Sequence, residues 1–242
     1  MRPSLTVEIW SDVVCPWCYI GKRRFETAAA QLADEVDLQV VFRPYQLDPT
    51  ASPGKSQPVV EAYAKKFGGP ERAAQIIGHV SNVAADEGLT FRMDAALRAN
   101  TLLAHRLLYL AEGTGDQYAL KERLLQAYFC DGLDIGDPDV LAECAAEVGM
   151  QRAAVRAFLD SDDGASEVAA MLQAAAEAEI TAVPTFVLDG RWAVPGAQDP
   201  ETFVNVIRRL LQRRADETTS TAPDATGTAG TAGACTDETC DV

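Results

Sequence analysis

The sequence predicts an α/β fold that is interrupted by a long all-helical insertion. Three observations predict it. A strand–helix–strand pattern opens the chain, a purely helical pattern fills residues 57–179, and strand character returns only near residue 185. With 242 residues, 48% of them hydrophobic, the chain is long enough to bury a large core.

The opening pattern is a βαβ unit that carries two cysteines. Apolar residues alternate with others from Leu5 to Ile9, which predicts a strand. A helical apolar face begins after Pro16, and the run LQVVF that ends at Phe42 predicts the second strand. Cys15 and Cys18 lie between the first strand and the helix, where α/β folds place their chemistry.

The sequence pattern of residues 57–179 predicts helices only. Ala73, Ile76, Ile77 and Val80 recur at spacings of three and four, and similar patterns follow on both sides of an Asp137-Pro138 helix start. We therefore expect a helical insertion domain over residues 57–179.

The last ordered elements are a hairpin and a helix. TFVLDG and RWAV flank a tight Asp-Gly turn, and Asp199-Pro200 begins a helix that we expect to end at Arg214. Residues 215–242 then lose all apolar periodicity, which predicts a disordered acidic tail. The predicted α/β domain comprises residues 1–56 and 180–214.

Charge and hydropathy exclude several classes of protein. The net charge of −15 has the wrong sign for attraction to nucleic acid or to an anionic membrane surface. No apolar stretch is long enough to cross a bilayer, and the start of the chain lacks an export signal. We expect a soluble cytoplasmic protein with neither kind of partner; its oligomeric state cannot be read from the sequence.

The segment Cys15-Pro16-Trp17-Cys18 predicts redox chemistry. A helix N-terminus favours a thiolate, so Cys15 is the expected attacking and more exposed thiol. Cys18, three residues on, is then the resolving thiol within disulfide reach. A zinc site needs about four ligands, and no second close-spaced pair occurs near these two, so we expect no bound metal. A CxxC within a βαβ unit favours a thioredoxin-like dithiol.

Pro184 directly precedes the strand that opens the hairpin. Two readings are open for it, an ordinary trans proline at a strand edge or a cis peptide bond. A cis bond would leave the backbone of Val183 free to pair with an extended substrate near the thiols.

Motifs along nearly all of residues 5–212 resemble one known family, the FrnE-like branch of the DsbA family. The stretches that carry the resemblance are SDVVCPWCYIG, NTLLAHRL, AYFCDGLDIGD, VPTF and VPGAQ. The resemblance implies a thioredoxin-like fold with a helical insertion and dithiol–disulfide oxidoreductase or isomerase activity. It also implies that Cys15 is the nucleophile, Cys18 its resolving partner, and Val183-Pro184 a cis-proline loop that binds protein or peptide substrates.

A related branch offers the alternative function. The 2-hydroxychromene-2-carboxylate isomerase and kappa-class glutathione transferase group shares this architecture but typically has Ser where this chain has Cys15. The alternative is therefore a glutathione-dependent isomerase or transferase of small molecules. In either case we expect no bound cofactor, with glutathione or another thiol reductant as a co-substrate.

The remaining candidate residues divide into three kinds. Trp17 is expected to be an exposed apolar contact for substrates. Cys235 and Cys240 form a CxxxxC pair in the tail, interpreted as an auxiliary redox pair, with loose metal binding and a passive tail as alternatives. Asp12 and His105 are expected to face solvent. The alternative for Asp12 is proton relay to Cys15, and the alternative for His105, which only the family resemblance implies, is a place lining the substrate cleft.

Overall fold

A computed structural model of the chain describes residues 2–220, with side chains described up to residue 217. The strands are β1 (Ser4–Ser11), β2 (Asp37–Pro44), β3 (Gln57–Pro58), β4 (Leu97–Arg98), β5 (Thr185–Leu188) and β6 (Trp192–Pro195). The helices are α1 (Pro16–Gln31), α2 (Val59–Phe67), α3 (Pro70–Asp86), α4 (Leu102–Thr114), α5 (Gln117–Gln126), α6 (Pro138–Glu147), α7 (Arg152–Asp160), α8 (Ala165–Glu177) and α9 (Pro200–Ser220). A π-helical turn, Ala127–Asp131, follows α5 directly.

Four strands form the main sheet in the order β2-β1-β5-β6. β1 runs parallel to β2, with Val7 opposite Val40, and antiparallel to β5, with Ile9 opposite Phe186. β5 and β6 form an antiparallel hairpin. Parallel strands need a crossover connection, and α1 supplies it between β1 and β2. The predicted α/β fold class, with its βαβ unit and its hairpin, is confirmed.

Three phenylalanines pack α1 against β5 and the start of α9. Phe25, Phe186 and Phe203 are fully buried, and their ring centroids are 5.3, 5.4 and 4.6 Å apart in pairs. Offset and edge-on contacts at such distances stabilise beyond simple burial. This cluster fixes the face of α1 that packs on β5.

Helices α2–α8 all lie between β2 and β5 in the sequence, as predicted for the insertion. Asp137 begins α6, and its carboxylate accepts the N–H of Asp139 at 2.7 Å, which is the expected N-cap. The segment also contains a short ladder between β3 and β4, in which Gln57 lies opposite Arg98. Its apolar core is continuous with the buried face of Tyr19 and Ile20 in α1.

The last helix continues past the predicted boundary. α9 ends at Ser220, six residues after the expected end at Arg214. Residues 215–220 contain no glycine or proline, so nothing in them stops a helix that has already formed. The helix therefore includes the first six residues of the predicted tail, and the tail cysteines, Cys235 and Cys240, lie outside the described residues.

Residues up to Asn205 form one compact unit, and a second unit begins at Val206. The functional domains predicted over residues 1–56, 57–179, 180–214 and 215–242 stay predictions. In the part of the chain that the structure describes, no helix is both long enough and apolar enough to span a membrane.

Gly21 sits in α1 where another chain segment comes close. A Cβ built on Gly21 would lie 2.9 Å from Cγ of Pro184 and 3.3 Å from Cα of Ala197. Real Cβ atoms do not approach carbon atoms that closely, so only glycine allows this contact between the helix and the loop before β5.

We expect Gly21→Ala to destabilise the protein by about 1–2 kcal/mol, because overpacking outweighs the gain in helix propensity. Gly78→Ala is the matched control, since it lies in α3 and a Cβ there would have no neighbour within 4 Å. That control should gain up to about 1 kcal/mol. Urea denaturation of both variants measures the difference, and equal stabilisation by the two alanines would contradict the packing argument.

Candidate active site

The cysteine pair occupies the start of α1. Cys15 is the N-cap residue, Pro16 is the first helical residue, and the N–H of Cys18 donates to the Cys15 carbonyl at 3.0 Å. Proline suits this position because its missing N–H would have no partner in the first turn. Cys15 is thus placed at a helix N-terminus, whose unpaired N–H groups favour an anion, although its sulfur makes no capping hydrogen bond.

The two thiols are equally buried, but Cys18 stands out because the protein raises its pKa. Cys15 and Cys18 are both 3% exposed, so the expectation of a more exposed Cys15 is wrong. Burial raises the pKa of Cys18 well above its ordinary value, and the hydrogen bond and negative charge of Cys15 raise it further. The surrounding protein therefore holds the proton of the Cys18 thiol more tightly than usual.

The loop before β5 faces Cys15. The Val183–Pro184 peptide bond is cis, and the Cys15 thiol donates to the Val183 carbonyl oxygen with a sulfur–oxygen distance of 3.7 Å. Pro184 is buried and its carbonyl accepts the N–H of Gly196 at 2.7 Å. Among the described residues, the N–H of Val183 has no hydrogen-bond partner. The structure therefore brings together the cysteine, valine and proline that the sequence singled out.

A cavity of about 680 Å³ reaches Val14, the residue before Cys15, but neither Cys15 nor Cys18 lines it. Val14 lines it, and so does Tyr63, whose pKa is raised to about 12 by burial and by the negative charge of Cys15. The other lining residues come from the loop after β2, from β3, α2 and β4, and from the π-helical turn: Leu47, Asp48, Gln57, Val59, Ala62, Lys65, Lys66, Phe67, Arg98, Ala99 and Tyr128.

Trp17 lies on the surface, 38% exposed, with its ring 6.1 Å from that of His79.

The family model of the DSBA-like thioredoxin domain matches residues 6–208 of this chain. The chain belongs to the DsbA family. The Bacillus subtilis protein YwbO is 31% identical over 212 residues, which cover 84% of this chain and 96% of YwbO. A structure described as a probable DsbA oxidoreductase from Streptomyces coelicolor is 37% identical with a TM-score of 0.78, covering 85% of this chain and 89% of that one. This DsbA-family chain is a thiol–disulfide oxidoreductase with a thioredoxin-like fold.

Two more distant structures share the fold alone. The cytosolic disulfide reductase DsbM from Pseudomonas aeruginosa is 19% identical, with a TM-score of 0.58 and coverage of 86% of this chain and 98% of that one. A 2-hydroxychromene-2-carboxylate isomerase is 17% identical, with a TM-score of 0.64 and coverage of 88% and 98%. The DsbA-like fold therefore occurs in both a disulfide reductase and a small-molecule isomerase.

Asp12 and His105 are buried in this DsbA-family chain, so the expectation that they face solvent is wrong. Asp12 is 0% and His105 2% exposed. The Asp12 carboxylate accepts the N–H groups of Val13 and Leu47, each at 2.8 Å, and lies 3.1 Å from Nε2 of His105. Three polar partners meet the cost of burying a carboxylate. The sequence pattern could not predict the burial of these two side chains, because their partners come from three separate segments.

Two lysines near the site are also buried, and their surroundings differ. Nζ of Lys22 is 2.5 Å from Glu26 and 2.6 Å from Glu122. Lys121 is 1% exposed, and its Nζ makes no hydrogen bond within the described residues. Burial lowers the pKa of Lys121 to about 8, and electrostatic interactions with Cys18, Asp12 and Cys15 oppose that shift. Sequence reasoning missed Lys121, since an isolated lysine in a helix usually faces water.

The other described cysteines take no part in the site. Cys144 is buried in the core of the helical segment, and Cys130 is half-buried. Within residues 2–220, the structure holds no group of three or more His, Cys, Asp and Glu side chains arranged to bind a metal ion.

We expect Lys121→Met to stabilise the reduced protein at pH 7 by up to about 3 kcal/mol, because a pKa lowered from 10.5 to about 8 means that the charged form is costly in the folded state. The unfolded chain holds this proton more tightly, so wild-type stability rises with pH between about 8 and 10.5 and the gain from methionine shrinks over that interval. Urea denaturation at pH 7 and at pH 10 measures both effects.

Lys22→Met is the matched control for this test. It removes an equally buried cation that has two carboxylate partners, and we expect it to destabilise the protein by about 3 kcal/mol. Two lysine-to-methionine variants with the same sign of effect at pH 7 would contradict the assignment of Lys121 as an uncompensated buried amine.

Proposed function

We propose that this protein is a cytoplasmic dithiol–disulfide oxidoreductase or isomerase that acts on protein or peptide thiols through Cys15 and Cys18. The observation that carries the proposal is the position of Cys15, at the N-terminus of α1 and 3.7 Å from the carbonyl of the cis-proline loop. Cys15 begins a helix whose N-terminus favours a thiolate. Its sulfur also faces a backbone segment that can bind an extended chain.

The chemistry follows from the difference between the two thiols. The Cys15 thiolate attacks one sulfur of a substrate disulfide, the substrate S–S bond breaks, and a mixed disulfide forms while the other substrate sulfur leaves as a thiolate. Cys18 then attacks Cys15, which releases the second substrate sulfur and forms the Cys15–Cys18 disulfide. Two electrons pass from the cysteine pair to the substrate, and the reverse sequence oxidises a substrate dithiol.

Substrate binding is proposed at three residues around Cys15. An extended peptide pairs with the unpartnered N–H of Val183, next to the rigid ring of Pro184. Exposed Trp17 provides an apolar contact beside the attacking sulfur. These contacts hold a peptide by its backbone and so accept many sequences.

The reductant and the compartment complete the proposal. A small thiol, glutathione or another, regenerates the dithiol form, and no bound cofactor or metal is required because the cysteines carry the electrons. The name of the DsbM structure, a cytosolic disulfide reductase, supports action in the cytoplasm. The motifs quoted above favour the FrnE-like branch. We propose no nucleic-acid or membrane partner, in keeping with the charge of −15.

A second candidate function is a glutathione-dependent isomerase or transferase of small molecules. The isomerase fold match and the cavity of about 680 Å³ favour it. A pocket of this size suits a drug-sized ligand. The cysteine at position 15 favours the oxidoreductase instead, because that branch typically has a serine there.

Replacing each cysteine separates the two functions. We expect wild-type protein to accelerate the reduction of insulin by dithiothreitol and Cys15→Ser to lose that acceleration, because the attacking thiolate is gone. Cys18→Ala should attack substrates normally and accumulate mixed disulfides at Cys15, which mass spectrometry detects. Full activity on insulin in Cys15→Ser, or thiol-independent turnover of a small substrate, would contradict the oxidoreductase proposal.

The tail pair, Cys235 and Cys240, is proposed as an auxiliary redox pair that exchanges electrons with Cys15–Cys18. Its support is the spacing of two cysteines on a polar segment that is long enough to return to the site. We expect truncation after Ser220, or a double Cys→Ser substitution in the full chain, to slow multiple turnover of insulin while leaving the first turnover intact. Unchanged turnover in both variants would identify a passive tail.

A further inference from the structure

We propose that Lys121 accepts the proton of Cys18 when that thiol resolves the mixed disulfide. The inference rests on the proposed roles of Cys15 and Cys18 and assigns a residue of the helical segment to their chemistry. Neither the family match nor the sequence pattern points to Lys121.

The first step of the argument is that Cys18 needs a proton acceptor. Burial holds it as a thiol, and a thiol attacks a disulfide only as its thiolate. Once Cys15 is bound to substrate sulfur it carries no negative charge, so Cys15 cannot take the proton. Both cysteines are 3% exposed, and a bound substrate covers them further, so bulk water has poor access to Cys18.

The second step is the set of titratable groups that face this thiol. These are Cys15 and Asp12 from the loop after β1 and Lys121 from α5, and Lys22 of α1 is a further charged group that interacts with Lys121. The carboxylate oxygens of Asp12 already accept two backbone N–H groups and face His105. Nζ of Lys22 already contacts the carboxylates of two glutamates.

Lys121 is the group that remains. Its amine is 1% exposed, it makes no hydrogen bond in the described part of the chain, and it interacts electrostatically with Cys18, Asp12 and Cys15. Its Nζ lies 5.5 Å from the centre of the Phe42 ring in β2. No hydrogen bond fixes the amine, so a rotation of its four-carbon stem can direct it to the Cys18 sulfur. Burial lowers the pKa of Lys121 to about 8, so a share of the molecules holds a neutral amine at neutral pH.

α5 is held so that Lys121 stays at this place. The side chain of Gln117, one helical turn earlier, accepts the N–H of Phe42 at 2.8 Å and donates to its carbonyl at 3.0 Å. Residues four apart lie on the same face of a helix. One face of α5 therefore carries both Gln117, which hydrogen-bonds to the backbone of β2, and Lys121, which interacts with the cysteine pair.

The proposed step balances as follows. The neutral amine takes the proton of Cys18, and the Cys18 thiolate attacks Sγ of Cys15. The Cys15–Cys18 bond forms, the bond from Cys15 to the substrate sulfur breaks, and the substrate leaves as a thiolate. The ammonium of Lys121 then loses its proton to the leaving thiolate or to solvent. In the oxidising direction the ammonium returns the proton to Cys18.

The test measures two rates in one experiment. Reduced full-length protein is mixed with a synthetic peptide dimer held by one disulfide, quenched in acid at successive times, and analysed by mass spectrometry. Formation of the Cys15–peptide mixed disulfide reports the first step, and its conversion to the Cys15–Cys18 disulfide reports the second. In Lys121→Met we expect the first step to stay within a few-fold of wild type and the second to slow about 100-fold at pH 7.

The pH profile distinguishes proton transfer from a structural role. In wild type the second step should rise with pH and level off near pH 8, where the amine becomes neutral. In Lys121→Met it should keep rising above pH 9, because Cys18 must then ionise unaided. Lys121→Arg retains the charge but cannot give up its proton in this range, so it should also fail to level off.

Three outcomes would overturn the inference. They are an unchanged second step in Lys121→Met, a wild-type profile in Lys121→Arg, and equal slowing of both steps with no change in the pH profile. A different result would count against the proposed function itself, namely Cys18→Ala protein that does not stall as a mixed disulfide at Cys15. The two failures are therefore distinguishable, and circular dichroism of each variant confirms that it is folded.

Discussion

The burial of the Asp12 carboxylate is the constraint on which the rest of the site depends. A carboxyl group with no exposed surface is tolerated only where polar partners surround it, and here the partners come from the loop after β1, the loop after β2 and α4. Those contacts tie the loop before α1 to the helical segment. Cys15 and Cys18 follow Asp12 within six residues, so their position depends on the same contacts.

The two buried lysines near the thiols differ in their partners. Lys22 is neutralised by Glu26 and Glu122, whereas Lys121 has no hydrogen-bonding partner in the described residues. A paired cation stabilises a fold, while an unpaired buried amine costs stability and gains the ability to change its protonation near neutral pH. The protein retains that cost at Lys121, which interacts electrostatically with Cys18, and the proposed role of this amine in proton transfer would account for it.

Sequence reasoning predicted the features that short segments determine by themselves. The βαβ unit, the hairpin after Pro184 and the N-cap at Asp137 each follow from a local pattern of apolar residues, prolines and turn residues. The buried state of Asp12, His105 and Lys121 was not predictable, because it depends on partners that only the tertiary fold brings together. The equal burial of Cys15 and Cys18 was missed for the same reason: the loop that covers Cys15 lies far along the chain.

The contact between Cys15 and Val183 spans 168 residues of sequence. A ribosome adds about 5–20 residues per second, so on the order of ten seconds pass between the synthesis of the two partners. During that interval the nascent chain carries its cysteine pair without the loop that covers it. The length of the helical segment therefore sets the delay between the synthesis of the cysteine pair and that of the loop that contacts Cys15 in the folded protein.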